Sequence, residues 1–474
     1  MNKLSTGLKL MYGLGFSAQG IKDGLFQVFL FFYFNQVLGL DPSLSGTAAI
    51  IALLFDSVSD PLVGVISDKW KSAKWGRRHP FMFWSAIPLG ITTYFLFVPP
   101  DGMGQTGLFL WLTSFAILVR LSLTLYLIPG LSLGAELTTD YNERTSVTSY
   151  RIMFSSFVGP LVMMIGLILF FAPTEEYVNG LLNPAPYPKF AMLCSILIIL
   201  LILISTWGTR RIIPSLPTIS DKQASSTIFT MFSQFREAFK LKEFSTLISY
   251  IGMMYIGIGV GMMLSTYLMT FYFGLSEKEL AVLLIGPAMA GILALFVAPF
   301  MGKRLGKKKA IIWSTVAFAF FFALPINLRI MGLFPENGSP NLLPLYAVSV
   351  IIAYVFLWVA MSISNSMMAD VADSYELKTG QSHEGLFFSS LSFAYKCSVG
   401  LGSFFAGYLL KIIAFPSQTA VADVSPAAIS SLGWITGPLI MLLYLSSIFF
   451  IARYPITQEN YAEIRSQLDK RAGN

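Results

Sequence analysis

Residues 55–80 read FDSVSDPLVGVISDKWKSAKWGRRHP. Two carboxylates, Asp56 and Asp60, stand inside an apolar run, and a short basic loop follows it. On a helix, residues four apart share one face. An apolar run of about 20 residues is long enough to cross a bilayer, and a charge inside such a run is costly enough to demand a function. A second loop, MGKRLGKKKA at 301–310, repeats the pattern: short, basic and glycine-bearing.

Working outward, apolar runs recur along the chain. They are expected near 12–36, 45–67, 80–99, 107–138, 147–172 and 188–208. After a polar stretch come 245–274, 279–301, 309–329, 342–370, 386–414 and 428–452. This predicts an all-α membrane protein with 12 transmembrane helices in two six-helix halves. The two basic loops then fall at the same place in each half, the parallel-repeat layout of the major facilitator fold. The expected domains are 1–208 for the first half, 209–244 for a linker, 245–453 for the second half and 454–474 for a polar, exposed tail. Phe229, Phe232, Phe235 and Phe239 recur at helical spacing in the linker, which predicts an amphipathic helix at the inner interface.

Composition agrees. Of 474 residues only 12% are charged and 55% are hydrophobic, with a mean hydropathy of +0.68. A soluble domain carries about twice that charge, so a soluble enzyme is excluded, as is a disordered chain. Two cysteines and two histidines are too few for a disulfide framework or a histidine metal site. The net charge of +7 is explained by where it sits. With both termini cytoplasmic, the outside loops hold Lys189, Lys278 and Arg329, and nearly all other basic residues outside the spans lie inside. A nucleic-acid partner is therefore not expected; the expected partners are a small-molecule solute, a monovalent cation and the lipid bilayer of the cell membrane, with the protein a monomer. No GxxxxGK[ST] loop or catalytic dyad is present, so neither ATP-driven transport nor an enzyme is expected, and no cofactor beyond a coupling ion.

The charges inside the spans carry the functional reading. Two carboxylates on one face in low dielectric need a cation or a shared proton. Asp56 and Asp60 are therefore the candidate sodium or proton site, with Ser59 and Thr124 as hard-oxygen helpers. Lys22 and Asp23 are adjacent in the first span. Neighbours on a helix point about 100° apart, so they are not expected simply to pair; Asp23 either meets solute hydroxyls or balances Arg120 or Arg151. Arg151 and Lys396 are placed to reach a midplane cavity, and Lys396 to tie its half to the acids. Arg120 is either paired to an acid, snorkelling or in contact with solute. Trp358, Tyr354 and Tyr395 are candidate aromatic lining. Asp68, Arg77 and Arg78 are assigned to gating, with the loop cations capping helix ends and pairing with acids of the neighbouring half when the transporter faces outward.

Several stretches together resemble the glycoside–pentoside–hexuronide:cation symporter family, the family of melibiose permease. They are YGLGFSAQG, FDSVSDPLVGVISDKWKSAKWGRRHPF, PGLSLGAELTTDYNERTSVTSYR and MMADVADSYELKTGQSHEGLFFSS, with the Lys396 segment. FDxxxDP followed by WGxxxP is the most specific element. The resemblance implies that Asp56 and Asp60 bind the coupling cation. Ser59 stands where an amide is common, Thr124 matches a cation-site hydroxyl, Lys396 a lysine tied to that site, and Arg151 an arginine near the sugar. Gly20 and Leu127 stand where the family uses acids to hold galactoside hydroxyls, and Leu131 where it has an aromatic platform. Asp23, one turn beyond Gly20, is the candidate substitute. A branch resembling the sodium-dependent lysophosphatidylcholine symporter also keeps the two acids and lacks the sugar acids. The expected function is cation-coupled symport, by sodium or protons, of a sugar or glycoside through alternating access. The alternative is an amphiphilic or acidic solute gripped by Lys396 and Arg151. A non-transporting sensor on the same fold is the alternative of another class.

Overall fold

The computed structural model describes residues 4–70, 72, 75–138, 140–215, 238–380 and 384–472. The expected amphipathic pattern at Phe229, Phe232 and Phe235 lies outside these residues. Among them the elements are helices, in chain order α1 (Thr6–Gly15), α2 (Ser17–Gly24), α3 (Pro42–Lys69), α4 (His79–Leu96), α5 (Gln105–Glu136), α6 (Tyr141–Leu169), α7 (Pro186–Thr209), α8 (Lys242–Tyr267), α9 (Glu277–Leu283), α10 (Gly286–Leu305), α11 (Lys307–Ile330), α12 (Leu342–Thr379), α13 (Glu384–Ile412), α14 (Pro426–Trp434), α15 (Ile440–Ile451) and α16 (Gln458–Ala472). Nine helices among the described residues are long and apolar enough to cross a membrane. The first expected span is instead broken, running from α1 through α2 into π-helical turns at Leu25–Leu30 and Tyr33–Val37. Further π-helical turns follow α8 at Leu268–Tyr272 and α14 at Ile435–Leu439. Large apolar side chains such as Phe296, Leu442 and Trp84 lie at the surface, as a hydrocarbon solvent allows.

Local sequence explains the helix ends. Asp41 caps α3 by accepting from the Ser43 N–H, with Pro42 in the first turn. Asp140 caps α6 through the Glu143 N–H, and Ser425 caps α14 through the Ala428 N–H. Ser276 and Glu279 form a reciprocal capping box at α9. Gly380 ends α12 with φ +74°, a left-handed conformation that favours glycine.

The chain forms two compact units. The first comprises residues 1–225, 276–285 and 410–424, the second 226–275, 286–409 and 425–474. In the first unit, an aromatic cluster of Phe29, Phe171, Tyr187 and Phe190 fastens the first span to α7 and the end of α6. Gly20 of α2 meets Gly159 of α6 backbone to backbone: a methyl on Gly20 would lie 2.3 Å from the Ser155 carbonyl, and one on Gly159 would lie 2.2 Å from the Gly20 carbonyl. The second unit repeats this. A methyl on Gly402 of α13 would lie 2.2 Å from the Ile256 carbonyl and 2.9 Å from the Gly259 Cα on α8. First against fifth expected span and seventh against eleventh are equivalent pairs in a six-plus-six repeat, so the same close crossing stands at the same place in each unit.

The inner ends repeat as well. In the first unit Arg77 and Arg78 both reach Glu136 at the end of α5, at 2.7 and 3.1 Å, and Arg78 also reaches Asp68 at 2.5 Å. In the second, Lys307 opens α11 and bonds Asp370 of α12 at 2.7 Å. These loop cations meet acids of their own unit, because the end of α5 or α12 stands beside the loop. The tail is exposed along most of its described length. It forms α16, whose Tyr461 hydroxyl donates to Asp373 of α12 at 2.8 Å.

Candidate functional site: a carboxylate pair on α3 facing α5

α3 and α5 pack side by side, and each contributes two polar residues four apart. Arg120 Nη1 lies 3.3 Å from Asp56 Oδ2, and Thr124 Oγ1 lies 2.8 Å from Asp60 Oδ1. Both pairs are separated by 64 residues in sequence. A constant offset is what two helices running in the same direction produce, so one register sets both contacts. Thr124 also lies 3.1 Å from Asp56 Oδ1, so a single hydroxyl touches both carboxylates. Asp56 and Thr124 are buried, and Asp60 is half-buried.

Prolines follow in both helices. Pro61 lacks an N–H for the Ser57 carbonyl, and Pro129 lacks one for the Leu125 carbonyl. Each leaves a backbone oxygen without its helical partner within one residue of an acid or of Thr124. Ser59 is placed differently from the other three: its hydroxyl donates to the Asp56 carbonyl at 3.2 Å. Only its lone pairs remain for a ligand.

The donor set is two carboxylates and a hydroxyl, all hard oxygens. Among the described residues no group of three His, Cys, Asp or Glu converges. Oxygens of this kind suit a hard cation or a proton rather than a thiophilic metal.

A second group lies beside this one in the same unit. Lys22 pairs with Asp23, against expectation for adjacent residues, because the four-carbon lysine stem can fold back across the arc between them. Lys22 Nζ lies 5.2 Å from the centroid of the Phe26 ring, and the Arg120 guanidinium 5.3 Å from the same ring. Asp23 is half exposed. Arg151 of α6 lies over Phe16 at 5.7 Å. Leu127 and Leu131 continue the α5 face of Arg120 and Thr124, half-buried and exposed respectively. Gly20 stands on the same helix as Lys22 and Asp23, at the close crossing with α6. Lys396 stands on α13 in the second unit. Of the aromatic candidates, Tyr395 packs edge-on against Tyr255, and Trp358 donates its indole N–H to the Pro287 carbonyl at 3.1 Å. Glu136 was missed in the sequence, although it lies in a stretch quoted above; an acid at the end of a span next to a basic loop is the signal that marks it.

The MFS/sugar transport protein profile matches residues 11–458. The chain belongs to that family. It is a multi-pass membrane transporter. It is 24% identical to the uncharacterized symporter sll1374 of Synechocystis sp., over 100% of this chain and 98% of the relative. It is 23% identical to the isoprimeverose transporter of Lactiplantibacillus pentosus, over 85% and 79%, and 23% identical to the sphingosine-1-phosphate transporter MFSD2B of Xenopus tropicalis, over 98% and 91%. The crystal structure of the nucleoside transporter NupG shares the fold, with a TM-score of 0.65 at 15% identity, over 96% of this chain and 100% of that one.

Proposed function

We propose that this transporter carries a sugar or glycoside by symport with one monovalent cation or proton held at Asp56, Asp60 and Thr124. The observation that carries the reading is the Thr124 hydroxyl within hydrogen-bond reach of both carboxylates. One hydroxyl has one proton to donate and cannot serve two ionised carboxylates. A cation or an added proton adds to what the hydroxyl and Arg120 already give the pair. Burying two like charges in the span is costly, and neutralising them lowers that cost. Solute and cation then each favour the state that the other favours, which is the whole of thermodynamic coupling. The family description and the likeness to a transporter of isoprimeverose support a saccharide as solute.

A second reading rests on the α5 face. Leu127 and Leu131 present apolar surface next to Thr124, with Arg151 in the same unit, an arrangement suited to an amphiphile with an anionic head. The likeness to a sphingosine-1-phosphate transporter supports it.

The test is uptake into proteoliposomes under an imposed sodium or proton gradient, with labelled saccharides and a labelled lysolipid in one panel. Gradient-driven uptake of a saccharide by the wild type supports the first reading and lysolipid uptake the second. Asp60→Asn, reconstituted to equal density, loses gradient dependence. Wild-type coupling in Asp60→Asn removes the proposed site.

A further inference from the structure

We propose that Arg120 is a built-in cation that competes with the coupling ion for Asp56 and so sets the affinity with which the site takes that ion. This rests on the cation-site reading above and refines it.

Three observations carry it. First, Arg120 Nη1 takes Asp56 Oδ2 while Thr124 takes Oδ1, so the guanidinium stands on an oxygen that an ion drawing on both acids also needs. Second, the guanidinium is weakly committed there. It makes one contact at 3.3 Å, and its Nε is buried without a hydrogen-bond partner. A guanidinium has five N–H donors and forms two short parallel bonds where a carboxylate is its settled partner. A single long bond is the contact of a group that can leave. Third, its other face rests on Phe26 at 5.3 Å. A flat apolar ring holds a cation without fixing its direction, so Arg120 can draw back from Asp56 while staying on the ring that Lys22 also shares. Arginine keeps its charge at every working pH. Its repulsion of an ion a few ångströms away is therefore constant, and it lowers the ion affinity without abolishing it.

The experiment is thermal stability of the purified full-length chain titrated with sodium, lithium and potassium chloride at constant ionic strength. The variants are Arg120→Gln, Arg120→Met, Arg120→Lys and Asp56→Asn. The readout is the midpoint of the cation-dependent rise in melting temperature, which a merely structural residue does not move in the favourable direction. The expected result is a midpoint on the order of tenfold lower in Arg120→Gln and Arg120→Met. Arg120→Lys keeps the charge and stays near the wild type, and Asp56→Asn shows no rise. An unchanged or higher midpoint in both neutral variants overturns the proposal and leaves the cation site standing, provided the wild type responds and Asp56→Asn does not. No response of the wild type to any of the three salts overturns the proposal together with the alkali-cation form of the site. Failure of both neutral variants to fold makes Arg120 structural and overturns the proposal as well.

Discussion

Thr124→Val is the sharpest single test of the α3–α5 cluster. The substitution keeps side-chain shape and removes one hydroxyl that is 2.8 Å from Asp60 and 3.1 Å from Asp56. Thr124 is buried, so water does not replace what is lost. A hydrogen bond to a charged group contributes about 1.5–3 kcal/mol. If that hydroxyl orients the carboxylates and offers its own oxygen to the ion, losing it raises the sodium midpoint by about 10–100-fold, since each 1.4 kcal/mol is tenfold. The assay is sodium-dependent melting of purified protein against potassium at equal ionic strength, with Thr124→Ser restoring the hydroxyl. Thr124→Ser is expected to recover most of the wild-type midpoint. The reasoning fails if Thr124→Val binds sodium as the wild type does while remaining folded, because the hydroxyl would then be bridging the acids without serving the ion.

Two further predictions concern stability. Gly159→Ala places a methyl 2.2 Å from the Gly20 carbonyl. Overpacking costs about 1–3 kcal/mol and outweighs the roughly 1 kcal/mol that alanine gains in a helix. A lower melting temperature is expected, and a higher one contradicts the close crossing. Within the first unit, Lys411 reaches Asp41 at 3.2 Å. Partial burial, the largest single influence, pushes the Asp41 carboxyl up, but hydrogen bonds from the Ser43 hydroxyl, from Lys411 and from the Ser43 backbone outweigh it and hold the carboxyl below its ordinary value. A carboxyl lowered in the folded state stabilises above its unfolded value, about 3.9, and loses that stabilisation only as pH falls through the lower folded value. Lys411→Gln should therefore cost the same at pH 5.5 and pH 8, under about 1 kcal/mol for so exposed a pair. A cost that shrinks at pH 5.5 contradicts the assignment.

Much of this was legible in the sequence, for identifiable reasons. Asp56 and Asp60 sit four apart in an apolar run, and both facts survive any packing. Thr124 was singled out as a nearby hard oxygen and through the family resemblance, and it lies within hydrogen-bond reach of both acids. Arg120 had the same spacing to Thr124 as Asp56 has to Asp60, yet its partner depended on the register of α3 against α5, which no single helix reveals. Lys22 and Asp23 were misread because backbone direction was taken for side-chain direction, and a lysine stem is long enough to undo it. Gly20 was read as a vacant solute position. A glycine in a span has no periodicity of its own, and only Gly159 across from it shows why it is there. The tail was read as polar and exposed, and most of its described residues are; one tyrosine, Tyr461, docks it on α12.

The twin glycine crossings have a mechanical consequence. Where two backbones touch with no side chains between them, nothing is left to interdigitate differently, so the joint behaves as a rivet. The π-helical turns at Tyr33–Val37 and Leu268–Tyr272 lie downstream of Gly20 and Gly259 on the same spans. A π turn carries a surplus residue and weaker hydrogen bonding, which makes it the compliant part of a helix. Each of these two spans thus pairs a stiff point with a soft one. Bending is expected to concentrate in the soft segment, so that a span deforms at its far end while its grip on the neighbouring helix is kept.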